Sequence, residues 1–101
     1  MSEDPFFLPA SEEHVAREKA KARELRRTQW WKRRRSKGVC HYCGRELPPR
    51  ELTMDHVVPL ARGGYTTRSN VVPACPECNA AKKHQLPIEW QGLLDEGESG
   101  D

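Results

Sequence analysis

Apolar residues are sparse along the first third of the chain. Between Ser11 and Ser36 they fall at Val15, Ala16, Ala20, Ala22, Leu25, Trp30 and Trp31, a thin stripe in otherwise charged sequence. Ser11 stands where an N-cap belongs, and Glu12 and Glu13 fill the first turn behind it. Arg33, Arg34, Arg35 and Lys37 suit the negative end of a helix dipole, and Gly38 is a stop. The pattern predicts one long basic helix over 12–36, with much of its surface turned to solvent or a ligand. Before it, Pro5 and Pro9 bracket Phe6-Phe7-Leu8, which reads as a loosely ordered arm over 1–10.

The pattern changes at Val39. Cys40 to Cys43 followed by Gly44 predicts a tight turn on a hairpin, and Pro48-Pro49 breaks any helix. The Val- and Leu-rich stretch 52–60 predicts a strand ending near Pro59, and 61–69, with Gly63-Gly64, a loop. Val71-Val72-Pro73-Ala74 predicts a short second strand, at an edge because proline lacks an N–H. Pro76 sits where proline favours the first turn of a helix, one that would carry Asn79, Lys82 and Lys83. A further short helix is expected over 87–96, docking through Ile88, Trp90 and Leu93, and an acidic disordered tail over 97–101. The fold class is α+β: a basic helical segment over 11–38 leading into a small strand–strand–helix domain over 39–86.

Composition sharpens this picture. A chain of 101 residues with 36% hydrophobic and 32% charged residues builds only a marginal core, so a structural metal would add real stability. No apolar run approaches the ~20 residues needed to span a bilayer, and the acidic start Met1-Ser2-Glu3-Asp4 is unlike a secretory signal. A cytoplasmic protein with no membrane partner is the expectation. The net charge of +2 hides a segregation: residues 14–50 hold thirteen Lys and Arg against three acids, whereas 1–13 and 89–101 hold acids and no bases. Such a basic middle predicts a polyanion-binding face.

The four cysteines come as two matched pairs, Cys40-His41-Tyr42-Cys43 and Cys75-Pro76-Glu77-Cys78. In a reducing compartment this spacing favours metal over a disulfide framework, and two such turns complete a tetrahedral zinc site. Cys40, Cys43, Cys75 and Cys78 are the predicted ligands. His41 is then a surface residue. The long spacer between the pairs must itself fold, and it holds Asp55-His56.

Asp55-His56-Val57-Val58-Pro59-Leu60, then Gly63-Gly64, Asn70-Val71-Val72, and Cys75 to Cys78 running into Asn79 with Lys82, resemble the HNH endonucleases in their cysteine-bearing form. The resemblance covers 40–83 and implies a ββα-metal (His-Me finger) domain with a structural zinc. Asn79 stands where the family name has its last histidine, a replacement also found within the family. The residues make chemical sense beside the resemblance. Phosphodiester hydrolysis needs a base to activate water and a cation to offset developing charge. His56 is neutral and able to accept a proton near neutral pH, which makes it the general base. Asp55 and Asn79 offer hard oxygens that suit Mg²⁺ or Mn²⁺ rather than a second zinc. The resemblance assigns Asn70 the role of tethering the loop and orienting the base.

Arg26, Arg27, Lys32, Arg33, Arg34 and Arg35, with Lys82 and Lys83 after Asn79, are the expected phosphate contacts, the partner being double-stranded DNA read with weak sequence preference. Trp30 and Trp31 are expected to pack on the zinc domain. One active site serves one strand, so a double cut would need a homodimer, a larger assembly or two visits. A non-catalytic zinc module binding nucleic acid or protein is the alternative; it accounts for the cysteines and arginines but not for Asp55, His56, Asn70 and Asn79 together. Because neighbours on a regular strand point to opposite faces, Asp55 and His56 can meet one phosphate only if the strand bends there or the phosphate sits at its edge, and a local distortion of the strand is expected.

Overall fold

A computed structural model describes residues 9–82, 85, 86, 88 and 89 of the chain. It begins with helix α1 (Glu12–Arg26). Ser11 caps it, its hydroxyl accepting from the His14 N–H at 3.0 Å, with Glu12 and Glu13 in the first turn and Arg23 and Arg26 in the last. The predicted single helix is in fact two. Thr28 adopts extended φ/ψ, donates its hydroxyl to the Leu25 carbonyl and accepts from the Trp31 N–H, so it ends one helix and caps the next, α2 (Gln29–Arg35).

Gly38 follows α2 with φ +69°, and an added Cβ would lie 2.9 Å from the Leu47 carbonyl oxygen, so glycine is required by both conformation and space. Val39 and Glu46 then form a bridge around the first cysteine turn, with the Cys40 N–H donating to the Arg45 carbonyl and the Gly44 N–H to the Cys40 carbonyl. A single 3₁₀ turn at Pro49–Glu51 leads into β1 (Thr53–His56), which is shorter than the predicted 52–60. The remainder of that stretch bends away and forms a second 3₁₀ turn at Leu60–Arg62. Strand β2 (Val71–Ala74) pairs antiparallel with β1, Thr53 opposite Ala74 and His56 opposite Val71. Helix α3 (Pro76–Lys82) starts at the second cysteine pair and packs on β1, completing a ββα unit.

The core is small and partly sulfur. Cys40, Leu52, Ala74 and Cys75 form one buried cluster, with Tyr42, Leu47 and Cys78 against it; Trp31, Ala22, Val71 and Val72 are buried elsewhere. Trp31 is buried, while the guanidinium groups of Arg34 and Arg68 stand 5.9 and 5.2 Å from the centre of the Trp30 ring. The inward stripe of α1 is His14, Glu18 and Ala22. Its two polar members hold the loop between the strands: His14 Nε2 donates to the Gly64 carbonyl at 2.8 Å, and Glu18 bonds Thr66. Gly64 has no room for a side chain, since a Cβ would fall 1.9 Å from the Val58 carbonyl oxygen.

Residues 1–8 of the expected arm, the expected tail over 97–101 and most of the predicted 87–96 helix lie outside the described residues. Ile88, expected to dock, is 80% exposed. No helix among the described residues is long and apolar enough to cross a membrane.

Candidate metal centre and nuclease site

The hairpin brings Cys40 and Cys43, and the start of α3 brings Cys75 and Cys78, into one cluster whose four sulfurs lie within 4.8 Å of one another. A tetrahedral ion with bonds of about 2.3 Å to sulfur needs sulfurs about 3.8 Å apart, and Cys43 Sγ stands 3.9 Å from Cys75 Sγ. The donor set therefore fits zinc. Backbone N–H groups face the sulfurs, Cys75 N on Cys40 Sγ at 3.3 Å and Cys78 N on Cys75 Sγ at 3.4 Å. Burial raises the Cys40 thiol, but the N–H groups of Cys43, Cys75 and Tyr42 outweigh it and bring its pKa down to about 7. Burial and the neighbouring sulfurs of Cys75 and Cys43 push Cys78 up. Four thiolates at this spacing need a cation to offset their mutual repulsion. His41 is exposed, as expected.

The first cysteine turn also reaches the Asp-His pair. The Tyr42 hydroxyl donates to Asp55 Oδ2 at 2.5 Å, and burial followed by the adjacent carboxylate raises the phenol's pKa, keeping it a donor. Lys82, expected on a phosphate, is instead 1% exposed, with Nζ 3.3 Å from Asp55 Oδ2 and 2.9 Å from the His56 carbonyl oxygen. Asp55 is 5% exposed and would be a costly isolated charge without these two partners.

Asn79 is positioned by a relay. Thr53 donates its hydroxyl proton to the Ala74 carbonyl at 3.2 Å, so it can only accept from Asn79 Nδ2, at 3.0 Å. The amide nitrogen is thereby committed, and among the described residues no hydrogen bond engages the amide oxygen, the atom able to bind a cation. Asn70 spans both ends of its loop: Oδ1 accepts from the Val58 N–H at 2.9 Å, and Nδ2 donates to the carbonyls of Val58 at 3.1 Å and Tyr65 at 2.8 Å.

Asp55, His56 and Asn79 border one cleft of about 250 Å³, which Val15 and Lys19 of α1 also line. The expected local distortion of the strand is absent: no bulge interrupts the register between Thr53 and His56. The strand pairs regularly through His56 opposite Val71, and it is the end of β1 that lets both neighbours border one space. His56 also borders an adjoining cleft lined by Lys19, Arg23 and Arg26. Burial holds the His56 pKa below its ordinary 6.5; Asp55 pulls it back up, while Lys82 and Arg26 push it down.

Of the basic residues picked out in the sequence, Arg26 therefore stands beside His56. Arg27 is exposed at the C-cap of α1 and loosely paired with Glu24, and Lys32 and Arg33 are exposed on α2. Arg34 and Arg35 are both half-buried, and Arg34 lines a separate cleft with Cys40, His41, Gly44 and Pro73. Lys83 lies outside the described residues. Sequence reasoning missed Lys19 and Arg23, whose spacing with Arg26 along one helix face was the available signal, and Tyr42, hidden between two cysteines.

The family described as HNH endonuclease matches residues 40–91. The match covers half the chain, and the chain belongs to this family. Over 55 residues it is 38% identical to the Type IV methyl-directed restriction enzyme EcoKMcrA of Escherichia coli, an alignment spanning 48% of this chain and 20% of that protein. Over 52 residues it is 40% identical to the CRISPR-associated endonuclease Cas9 of Corynebacterium diphtheriae, spanning 50% of this chain and 5% of that protein. The chain thus corresponds to a small part of either relative's length.

Proposed function

We propose that this chain hydrolyses DNA phosphodiester bonds, with His56 as general base and a hard divalent cation held by Asp55 and Asn79. The observation that carries the reading is the shared cleft: a carboxylate, an imidazole and an amide oxygen from β1 and α3 meet in one space. Membership of the HNH endonuclease family and likeness to two nucleases support the reaction class.

Each residue has a part. His56, held largely neutral by burial, accepts the proton of the attacking water. Asp55 and Asn79 present oxygen donors of the kind Mg²⁺ and Mn²⁺ prefer. Bound there, such an ion would offset charge developing on the phosphate. Asn70 holds the loop that follows His56. Lys82 and Tyr42 keep the Asp55 carboxylate in place. Lys19, Arg23 and Arg26 wall the His56 side of the site and contact the DNA backbone, with Arg27 and the basic run Lys32, Arg33, Arg34 and Arg35 extending the grip. Backbone contact of this kind carries little sequence information, so DNA is bound with weak sequence preference. The zinc cluster is scaffold, and 39–86 with the helices over 11–38 is the working unit.

Purified protein is expected to nick or cut plasmid in Mg²⁺ or Mn²⁺ and to stop on adding EDTA. His56→Ala should abolish cleavage while leaving zinc content and DNA binding intact. Undiminished cutting by that variant would refute the assignment; DNA binding without cleavage under any divalent ion would favour a non-catalytic zinc module.

A further inference from the structure

The geometry points to Thr66 as a positioning residue that fixes the tautomer of His56, held in place by Glu18 of α1. The argument is one of proton counting. A threonine hydroxyl has a single proton to give. Thr66 Oγ1 gives it to the Glu18 main-chain carbonyl at 2.8 Å, and a carbonyl can only accept. The same Oγ1 stands 2.9 Å from His56 Nε2, so there it must accept. Nε2 therefore carries the ring proton, and Nδ1 keeps the lone pair. In a neutral imidazole only the nitrogen without the proton can act as base, and a partner on the other nitrogen decides which one that is.

Thr66 is itself clamped. Its N–H donates to Glu18 Oε1 at 2.6 Å, and the Glu18 side chain is fully buried, with Lys21 Nζ 3.1 Å from Oε2. A buried carboxylate is costly unless it is paired and hydrogen-bonded; here Oε1 accepts the Thr66 N–H, while Oε2 makes no hydrogen bond and has only the Lys21 ammonium beside it. Glu18 thus meets Thr66 twice, once through the main chain and once through the side chain. Neither contact is part of the stretch matched by the family, since Glu18 precedes residue 40. The N-terminal helix, which also lines the cleft, therefore sets the proton-accepting atom of a base carried on β1.

The inference rests on His56 being the base, but its first readout does not require cleavage. In full-length, zinc-loaded protein labelled with ¹⁵N, two-bond correlations of the His56 ring above neutral pH are expected to show protonated Nε2 and bare Nδ1. Thr66→Ser, which keeps the hydroxyl, should preserve that pattern; Thr66→Val, which removes it, should let the Nδ1–H tautomer appear. In cleavage, Thr66→Val is expected to lower kcat on the order of ten- to a hundredfold with KM held within about twofold, and Thr66→Ser to stay within about threefold of the parent. An Nδ1–H ring in the parent protein, an unchanged tautomer in Thr66→Val, or an unchanged kcat in that variant would overturn the proposal. Should Thr66→Val not fold, the parent and Thr66→Ser spectra decide it. The expected tautomer in a protein that cuts no DNA would sustain the positioning role and sink the nuclease reading instead.

Discussion

Asn70→Asp tests the architecture of the site with almost no change in size. The wild-type amide accepts one hydrogen bond, from the Val58 N–H, and donates two, to the Val58 and Tyr65 carbonyls. Aspartate keeps the acceptor but turns the donating end into a carboxylate oxygen facing two carbonyl oxygens. Each lost bond is worth about 0.5–1.5 kcal/mol, so the pair costs about 1–3 kcal/mol, and repulsion adds in the same direction. In a domain of this size 1 kcal/mol moves Tm by about 4–8 °C; a loss near the middle of the range lowers Tm by about 10 °C. The assay is thermal unfolding of zinc-loaded protein near neutral pH, with zinc content measured for each sample. Asn70→Ala, which removes all three bonds without adding charge, should fall in the same range. A Tm within about 2 °C of wild type for Asn70→Asp would show that these bonds do not hold the loop.

Three further outcomes are expected. The protein should carry one zinc per chain by elemental analysis; Cys75→Ala or a strong chelator should remove both the metal and cooperative unfolding, and zinc affinity should weaken on acidification because the thiols must give up protons. The cleavage rate should fall as pH drops and His56 takes up a proton, and because burial lowers its pKa this acidic limb should have its midpoint below 6.5; a midpoint above 6.5 would contradict the burial argument. Lys82→Met leaves the buried Asp55 carboxylate without its ammonium partner and should cost about 3–5 kcal/mol in denaturant unfolding, part of it recovered in the double variant with Asp55→Asn.

What the sequence disclosed follows from how narrow each residue's chemistry is. Two CxxC turns have few uses in a reduced chain, and an Asp-His pair with two asparagines at separate distances narrows them further. Strand β2 and the start of α3 were legible because Val71-Val72 and Pro76 obey local rules. The break at Thr28 was not, because one capping threonine amid strong helix formers leaves little trace. The inward stripe of α1 was hidden for a different reason. Hydrophobic periodicity cannot find a buried face whose members are His14 and Glu18. Lys82 misled in the same way: lysine is rarely buried, so a surface role was the natural expectation. The last two are tertiary pairings across many residues, Glu18 with Thr66 and Lys82 with Asp55, and local pattern carries no record of the distant partner.

The clamp between α1 and the strand loop bears on how this module can be transplanted. A segment cut at residue 39 would keep all four cysteines, both strands and Asn79, and by alignment would look whole. It would also leave Thr66 without its carboxylate, Gly64 without His14, and Ala61 without the N–H of Ala10. The portable unit therefore starts upstream of Ala10, and chimaeras joined at the family boundary would inherit the ligands of the site without the brace that aims it.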